Sequence, residues 1–492
     1  PAGRGPVAAP SGGVRGSGYT MDFGASEEED SGQVRVKFVT KVPAIRVTET
    51  PVAVPVSLRR YGLSEVVNHL LGRDPPTPLD MLVGGKFLRS SLRAFMEREA
   101  ISGEAVLEVE YVPAVRKPTE DQQDKQPDWV SALASCGGGA AAAGGKEAQQ
   151  VFVTGCYDGR LRVYDGACKI RAEAAAHASP ITALCALPGG AGGGFRSLAG
   201  AVLSGGKDRV ARVWRVLDGG SGLEPVSVLR GHANSICSVH ASQEHLFTGD
   251  WDGHLRVWGQ QAFAGAGGGE EKGEGEEEEQ GLPKKRRKTG VSGAAEASLL
   301  EPDPVAAFRA HAQACISAVM GLAGPAPAEA AAAATAGEVL HSASLDHSVK
   351  TWDVERRDCV RTMNAPKAVT CLAASDSGSL LATGHPDASV RVWDARRDGA
   401  GDTLTRCCLT SHRAWVSAVA WAPGSDTMLL SCGHDGQAKL WDIRSAVPLH
   451  SADAHPGAAL CLCWRQGGQA FVTGGADGRV RTYQVPGDSD VC

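Results

Sequence analysis

The chain has 492 residues, 42% hydrophobic and 5% aromatic, with 50 Lys+Arg against 56 Asp+Glu for a formal net charge of −6. That length exceeds a single hydrophobic core, the charge balance excludes a globally basic nucleic-acid binder, and no apolar run forms a membrane-spanning helix or a secretory signal. The 14 cysteines contain no CxxC pair, which excludes zinc-finger spacing and predicts reduced, buried thiols in strands, as at Cys371 and Cys432.

Residues 1–32 are Gly-, Pro-, Ala- and Ser-rich and end in Glu27-Glu28-Glu29-Asp30, a composition that predicts disorder. Met21 precedes that acidic run and is expected to be the natural start, with the residues before it an artefact of the reading frame chosen.

Residues 33–112 have a different texture. Val34–Phe38 alternates apolar and basic residues, the mark of a strand with one buried face, and a second strand is expected from Val52 to Val56. Val66, Val67, Leu70 and Leu71 recur at helical spacing, with Gly72 as the stop. Leu79–Val83 and Lys86–Leu88 flank Gly84-Gly85 as a hairpin. Ser90-Ser91 then caps a short helix burying Leu92, Phe95 and Met96, and a last strand is expected from Ala105 to Val112. This order predicts a small α+β, ubiquitin-like domain. Residues 113–128 are polar, contain proline and are expected to be a linker.

From Trp129 to residue 485 one pattern recurs seven times. An aspartate stands six residues before an aromatic at Asp158/Tyr164, Asp208/Trp214, Asp252/Trp258, Asp346/Trp352, Asp387/Trp393, Asp435/Trp441 and Asp477/Tyr483. Four residues before each aspartate is a hydroxyl: Thr154, Ser204, Thr248, Ser342, Thr383, Ser431 and Thr473. Upstream histidines (His177, His232, His311, His412, His455) serve five units, and the units of Asp158 and Asp387 lack one. This is the WD-repeat pattern, and it predicts an all-β, seven-bladed WD40 β-propeller. The seven aspartates are expected to be structural: where a histidine is present the aspartate accepts its hydrogen bond, and Ser/Thr and Trp extend a network that must be satisfied once buried. A catalytic Ser-His-Asp set would occur once rather than in most blades. No P-loop or nucleophile elbow is present, so the chain is expected to be no enzyme, with no catalytic residue and no cofactor of its own. Residues 486–492 form a tail too short to supply the last blade's outer strand. That strand is expected from upstream, with Val112–Pro118 as the candidate.

The insertions share a geometry. Gly137–Lys146, Gly189–Gly200 and Gly321–Gly337 fall between the first and second strands of blades one, two and four, and the insert 260–302 between the third and fourth of blade three. Those connections share one face, so the opposite, short-loop face is expected to receive a docking partner. The insert 260–302 is expected to be disordered. It carries an acidic run, Glu270-Glu271 and Glu276–Glu279, and a basic cluster, Lys284, Lys285, Arg286, Arg287 and Lys288. The basic cluster is expected to be a nuclear-import signal, with rRNA contact as a second use.

Arg60-Tyr61-Gly62-Leu63-Ser64-Glu65-Val66-Val67-Asn68-His69-Leu70-Leu71, ahead of a seven-unit WD array with Asp128-Trp129-Val130 at its start, closely resembles one family. It is similar to the WD-repeat subunits of pescadillo-containing (PeBoW) ribosome biogenesis complexes, which carry an N-terminal Notchless-like domain. Notchless itself typically has eight WD units and lacks the Arg-Tyr-Gly-Leu-Ser segment. The resemblance implies an assembly factor for the large ribosomal subunit in nucleolus and nucleoplasm. It also implies docking of the propeller on the block-of-proliferation subunit, which joins it to pescadillo on pre-ribosomal particles. The Notchless-like domain would engage the AAA+ ATPase midasin, whose metal site holds Mg²⁺ completed by an acidic side chain in trans. The residue matching that role is Glu104, on a Gly-containing loop between the short helix and the last strand. Glu108 and Glu110 are expected to be solvated. A WD-repeat scaffold of another kind, a ubiquitin-ligase substrate receptor or a chromatin-binding adaptor, is the rival; pull-downs recovering cullins or histones instead of assembly factors would distinguish it.

Overall fold

The computed structural model describes residues 32–73, 75–103, 105–136, 151–188, 200–259, 299–321, 339–395, 405–465 and 467–485. The chain divides into two compact units, the first running to Val112 apart from Gly85–Phe87, the second continuing from Pro113.

Up to residue 113 the elements are β1 (Gln33–Val39), β2 (Val52–Pro55), α1 (Arg60–Leu71), β3 (Leu79–Val83), β4 (Lys86–Phe87), α2 (Leu92–Arg98) and β5 (Leu107–Pro113). The strands form one sheet in the order β2-β1-β5-β3-β4, with β1 and β5 parallel and β1 and β2 antiparallel. Val34, Val36 and Phe38 are buried, as the alternation of β1 requires, and meet Leu63 and Val67 of α1 in one core with Leu92, Phe95 and Met96 of α2. Gly72 ends α1 with φ 61°, and the Ser91 hydroxyl accepts the Ala94 N–H at 3.4 Å to start α2. The segment at Arg60 is used structurally. The Arg60 guanidinium meets the buried Asp80 carboxylate at 2.7 Å, and a Cβ on Gly62 would lie 2.8 Å from Leu58 Cδ2. The Ser64 hydroxyl accepts the Leu79 N–H at 3.1 Å. Asn68 receives the Thr77 N–H at 2.9 Å and donates to the Thr77 carbonyl at 2.7 Å. α1 therefore fixes the chain leading into β3. Glu108 is exposed and Glu110 half-buried; they approach Lys37 at 3.4 Å and Lys41 at 3.1 Å.

The second unit is built from seven four-stranded antiparallel sheets, numbered here in chain order from the one that opens at Val130. Their innermost strands are Val130–Cys136, Ile181–Ala186, Ile236–Ala241, Cys315–Gly321, Cys371–Ala374, Val416–Trp421 and Ala459–Trp464. Each packs against the next, and the last returns to the first, so the unit is a β-propeller. Two residue types explain the close packing of neighbouring sheets. The glycine after the recurrent hydroxyl lies against the first residue of the next inner strand: a Cβ at Gly155 would stand 2.7 Å from Ile181 Cγ2. A hydroxyl at the start of an inner strand stitches the sheets together. Ser131 reaches the Ile181 carbonyl at 2.6 Å, Thr182 the Ile236 carbonyl, Thr370 the Val416 carbonyl and Ser417 the Ala459 carbonyl, each at 2.5 Å.

Three expectations need correction. The seventh sheet does take its outer strand from upstream, but from β6 (Thr119–Lys125), not 112–118; β6 pairs antiparallel with Arg479–Gln484. Residues 112 and 113 are occupied as the end of β5, and the stretch 113–128, expected to be a linker, thus holds a strand of the ring. Thr119–Lys125 has no apolar residue, so the alternation that marks other strands is absent. The insert 260–302 is also not free to its end. Leu300 forms a parallel bridge with Ser227 on the outer strand Leu223–Leu229 of the second sheet, its carbonyl accepting the Val228 N–H at 2.9 Å, and Arg230 meets Glu301 at 3.1 Å.

Candidate functional site

The ring's short-loop face rests on polar networks that begin at the recurrent hydroxyls. In the sixth sheet, Trp441 Nε1 donates to Ser431 Oγ at 2.8 Å, Ser431 lies 2.7 Å from His412 Nε2, and His412 Nδ1 lies 3.0 Å from Asp435 Oδ2. One polarity satisfies every group: indole N–H to hydroxyl oxygen, hydroxyl to bare Nε2, and Nδ1–H to carboxylate. The second sheet repeats it through Trp214, Ser204, His177 and Asp208, and the fourth through Trp352, Ser342, His311 and Asp346. In the seventh sheet His455 bridges Thr473 and Asp477, at 3.1 and 2.8 Å. The aromatic there is Tyr483, whose buried hydroxyl has no partner among the described residues.

Three sheets solve the same problem differently. In the third, the expected Asp252 does not meet the histidine. His232 Nδ1 bonds Asp250 at 2.9 Å, while Asp252 is exposed and, among the described residues, its carboxylate takes only the Asn234 amide, at 3.1 Å. Asp250 lies two residues after Thr248 and so shares its face of the strand. In the fifth sheet the same offset from Thr383 supplies the histidine itself. His385 Nε2 lies 2.9 Å from Thr383 Oγ1, and Nδ1 donates to the Ala368 carbonyl at 2.9 Å, leaving Asp387 to Arg391 at 2.8 Å. In the first sheet Gln126 replaces the histidine. Its amide donates to Thr154 at 2.9 Å and to Tyr164 at 2.8 Å, while its carbonyl receives Arg162 and the Cys156 thiol. Asp158 pairs with Arg162 at 2.6 Å. The sheets lacking an upstream histidine are therefore completed rather than broken.

These groups are unsuited to chemistry. Burial, outweighing the neighbouring carboxylates, holds His177, His311, His412 and His455 below the ordinary imidazole value. Burial, followed by a nearby arginine, takes His341 and His385 down to about 4. Asp208 falls to about 2: burial raises it, but the His177 hydrogen bond and Arg212 prevail. The hydroxyls of Ser204, Ser342 and Ser431 sit on fully buried residues, each already holding an indole N–H, so no substrate reaches them. Burial also takes the Cys371 and Cys432 thiols to about 12, which makes them packing groups.

Above the networks, the face exposes large aromatics. Trp129, Trp251 and Trp415 are 47%, 54% and 56% exposed. Trp129 leans on Tyr157 at 5.3 Å between ring centroids, Lys207 lies 5.0 Å over Tyr157, and Trp415 stands 6.0 Å from His434. Trp251, Asp252, His254, Arg309 and Gln313 line a concavity where the third and fourth sheets meet. Trp129 marks the start of the repeats, but the spacing pattern gives none of these aromatics a role because they fall in the turns between patterned positions.

Glu104 and the cluster Lys284, Lys285, Arg286, Arg287 and Lys288 lie outside the described residues. Glu104's described neighbours, Gly103 and Ala105, are exposed between α2 and β5. Among the described residues, no group of three or more His, Cys, Asp or Glu is placed to hold a metal ion, and no helix is long and apolar enough to cross a membrane.

Comparison with known proteins matches residues 34–96 to the NLE (NUC135) domain and residues 223–259, 357–394, 404–442 and 446–484 to the WD domain, G-beta repeat. Each WD match runs from the outer strand of one sheet to the third strand of the next. The first, second and fourth sheets, whose first two strands are separated by the Ala/Gly-rich inserts, are not completed by a match. Over its length the chain is similar to "Ribosome biogenesis protein WDR12 homolog" of Chlamydomonas reinhardtii, at 38% identity over 92% of this chain and 98% of the relative. The protein of the same name from Oryza sativa subsp. japonica is 34% identical, over 94% of this chain and 98% of the relative. "Ribosome biogenesis protein YTM1" of Eremothecium gossypii is 28% identical, over 86% and 89%.

Proposed function

The chain belongs to the WDR12/Ytm1 family of ribosome biogenesis proteins, and from that membership we propose a non-enzymatic assembly factor of the large ribosomal subunit. It acts in pre-rRNA processing and pre-ribosome maturation, in nucleolus and nucleoplasm. The observation that carries the reading is end-to-end similarity: both units, in the same order, align with relatives named for ribosome biogenesis. The seven sheets are read as a seven-bladed ring, and the order β2-β1-β5-β3-β4 with parallel β1 and β5 supports a ubiquitin-like first unit.

In this reading the ring docks on a block-of-proliferation subunit and through it joins pescadillo on pre-ribosomal particles. The short-loop face suits the task because its turns are held by buried networks and lose little freedom on binding. The small unit gives Glu104 to the Mg²⁺ in midasin's metal site. A single carboxylate is the hard oxygen donor such an ion takes from a partner. ATP-driven movement of midasin then removes the complex. The basic cluster 284–288 brings the protein into the nucleus, with rRNA contact as a second use.

The test is replacement of the endogenous protein in cells. Depletion should lower large subunits relative to small ones and accumulate their pre-rRNA; normal subunit ratios would refute the assembly role. Glu104→Ala should fold and enter pre-ribosomes but stay on them. Binding of the full chain to midasin's metal-site domain should be lost with chelator and with Glu104→Ala; binding indifferent to both would remove the metal-ligand role alone.

A further inference from the structure

We infer that the short-loop face docks an acidic protein surface, anchored by Trp129, Trp251 and Trp415. The inference rests on the reading of the ring as the partner-docking unit and adds the chemistry of what it accepts. Half-exposed tryptophans are costly in water, and Trp and Arg are the side chains that most often anchor protein interfaces.

Charge supplies the sign. The chain carries a net −6, yet this face exposes Lys207, Arg209, Arg309, Lys367 and Arg413. Among the described residues none of these five side chains pairs with a carboxylate, although the Arg413 backbone N–H donates to Asp435. Arg209 and Arg309 reach only backbone carbonyls, and Lys207 covers the Tyr157 ring. The exposed acids at the same end are already engaged: Asp158 with Arg162, Asp387 with Arg391, Asp252 with Asn234 and Asp453 with Gln437. The aspartate in every turn is spent within the ring, and the cations point out. Complementary charge steers encounter and sets register.

The arrangement favours protein over RNA. The three tryptophans belong to turns of the first, third and sixth sheets, so they are spread round the ring instead of forming a file on which successive bases stack. Tryptophans and cations dispersed in this way match the apolar anchors and polar rim of a protein interface.

The experiment measures full-chain binding to the propeller of the block-of-proliferation subunit as a function of NaCl. The variants are Lys207→Glu/Arg209→Glu/Arg413→Glu, Trp415→Ala and, as a control on the opposite face, Arg357→Glu. Thermal melting confirms that each folds. The triple variant and Trp415→Ala should each weaken binding by about tenfold or more, with a shallower salt slope only for the triple variant, and Arg357→Glu should bind as the parent does. Parent-like binding by both face variants would overturn the surface while leaving the partner in place. No binding by the parent chain would remove the docking reading and this inference together. Binding of a mixed-sequence single-stranded RNA, lost in the same triple variant while the propeller binds unchanged, would overturn it in favour of RNA.

Discussion

Asp250→Ala and Asp252→Ala should differ sharply, although the residues are two apart and the repeat spacing points to the second. Asp250, 1% exposed, accepts His232 Nδ1 at 2.9 Å and the backbone N–H groups of Asp252 and His254 at 3.0 and 2.8 Å. Its removal strands a buried imidazole N–H at about 1–3 kcal/mol and loosens two turn hydrogen bonds at about 0.5–1.5 kcal/mol each. Allowing for non-additivity, the loss is about 3 kcal/mol. Asp252 is exposed with one 3.1 Å hydrogen bond, so its removal costs about 0–1 kcal/mol. A ring of this size need not unfold in two states, so hydrogen exchange over His245–Asp250 and His254–Gly259 is the cleaner assay. Protection there should fall roughly 100-fold in Asp250→Ala and little in Asp252→Ala. For Asp250, burial raises the pKa, but the His232 bond and the His254 N–H leave it below its ordinary 3.8. A depressed carboxylate stabilises above its unfolded pKa and loses that contribution as pH falls through the folded one, so the gap between parent and Asp250→Ala narrows below pH 3.8. Equal losses, or a larger loss at Asp252, would refute the network as described.

Burial of neutral His341 and His385, both at about 4 against an ordinary 6.5, means the unfolded chain binds protons first on acidification. Melting temperature should therefore fall from pH 6.5 towards 4, and His341→Gln/His385→Gln should flatten that slope; an unchanged slope would contradict it. Tyr483→Phe removes a buried hydroxyl without a partner among the described residues and should leave the melting temperature unchanged or raise it; a drop of several degrees would reveal a missed partner. Thr182→Val keeps shape but removes the stitch to the Ile236 carbonyl, and should cost about 1–2 kcal/mol by denaturant midpoint.

Much of this was legible in the sequence. The α1 helix, its Gly72 stop, the Ser91 cap and the buried positions of β1 followed from periodicity and capping. The repeated hydroxyl, aspartate and aromatic located the turns of all seven sheets. The failures have distinct causes. Spacing counted along the chain identifies turns but not which of two nearby side chains shares a face with the hydroxyl. Asp250 and His385 both follow from the two-residue period of a strand, a signal present but outweighed by the fixed offset to the aromatic. Gln126 had no such signal, because an amide in a polar stretch is unremarkable until Thr154 and Tyr164 are brought to it. β6 was misplaced because its pairing is set by the open backbone edge of Arg479–Gln484, which leaves its own side chains unconstrained.

The position of β6 makes it a mechanical fastening. Only residues 114–118 separate the last strand of the small unit from the strand that closes the ring. Tension applied to the small unit thus meets the ring first at Val115, whose carbonyl lies 2.7 Å from His450 Nε2, and then at Thr119, the leading residue of a strand paired by its backbone ladder to Arg479–Gln484. Immediately beyond its other end stand Gln126, which completes the first sheet's network, and then Trp129 on the short-loop face. A pull that peels β6 would open the circle at its seam and loosen both residues together, so a load on this strand and the tryptophan-bearing face are coupled through eleven consecutive residues, 119–129.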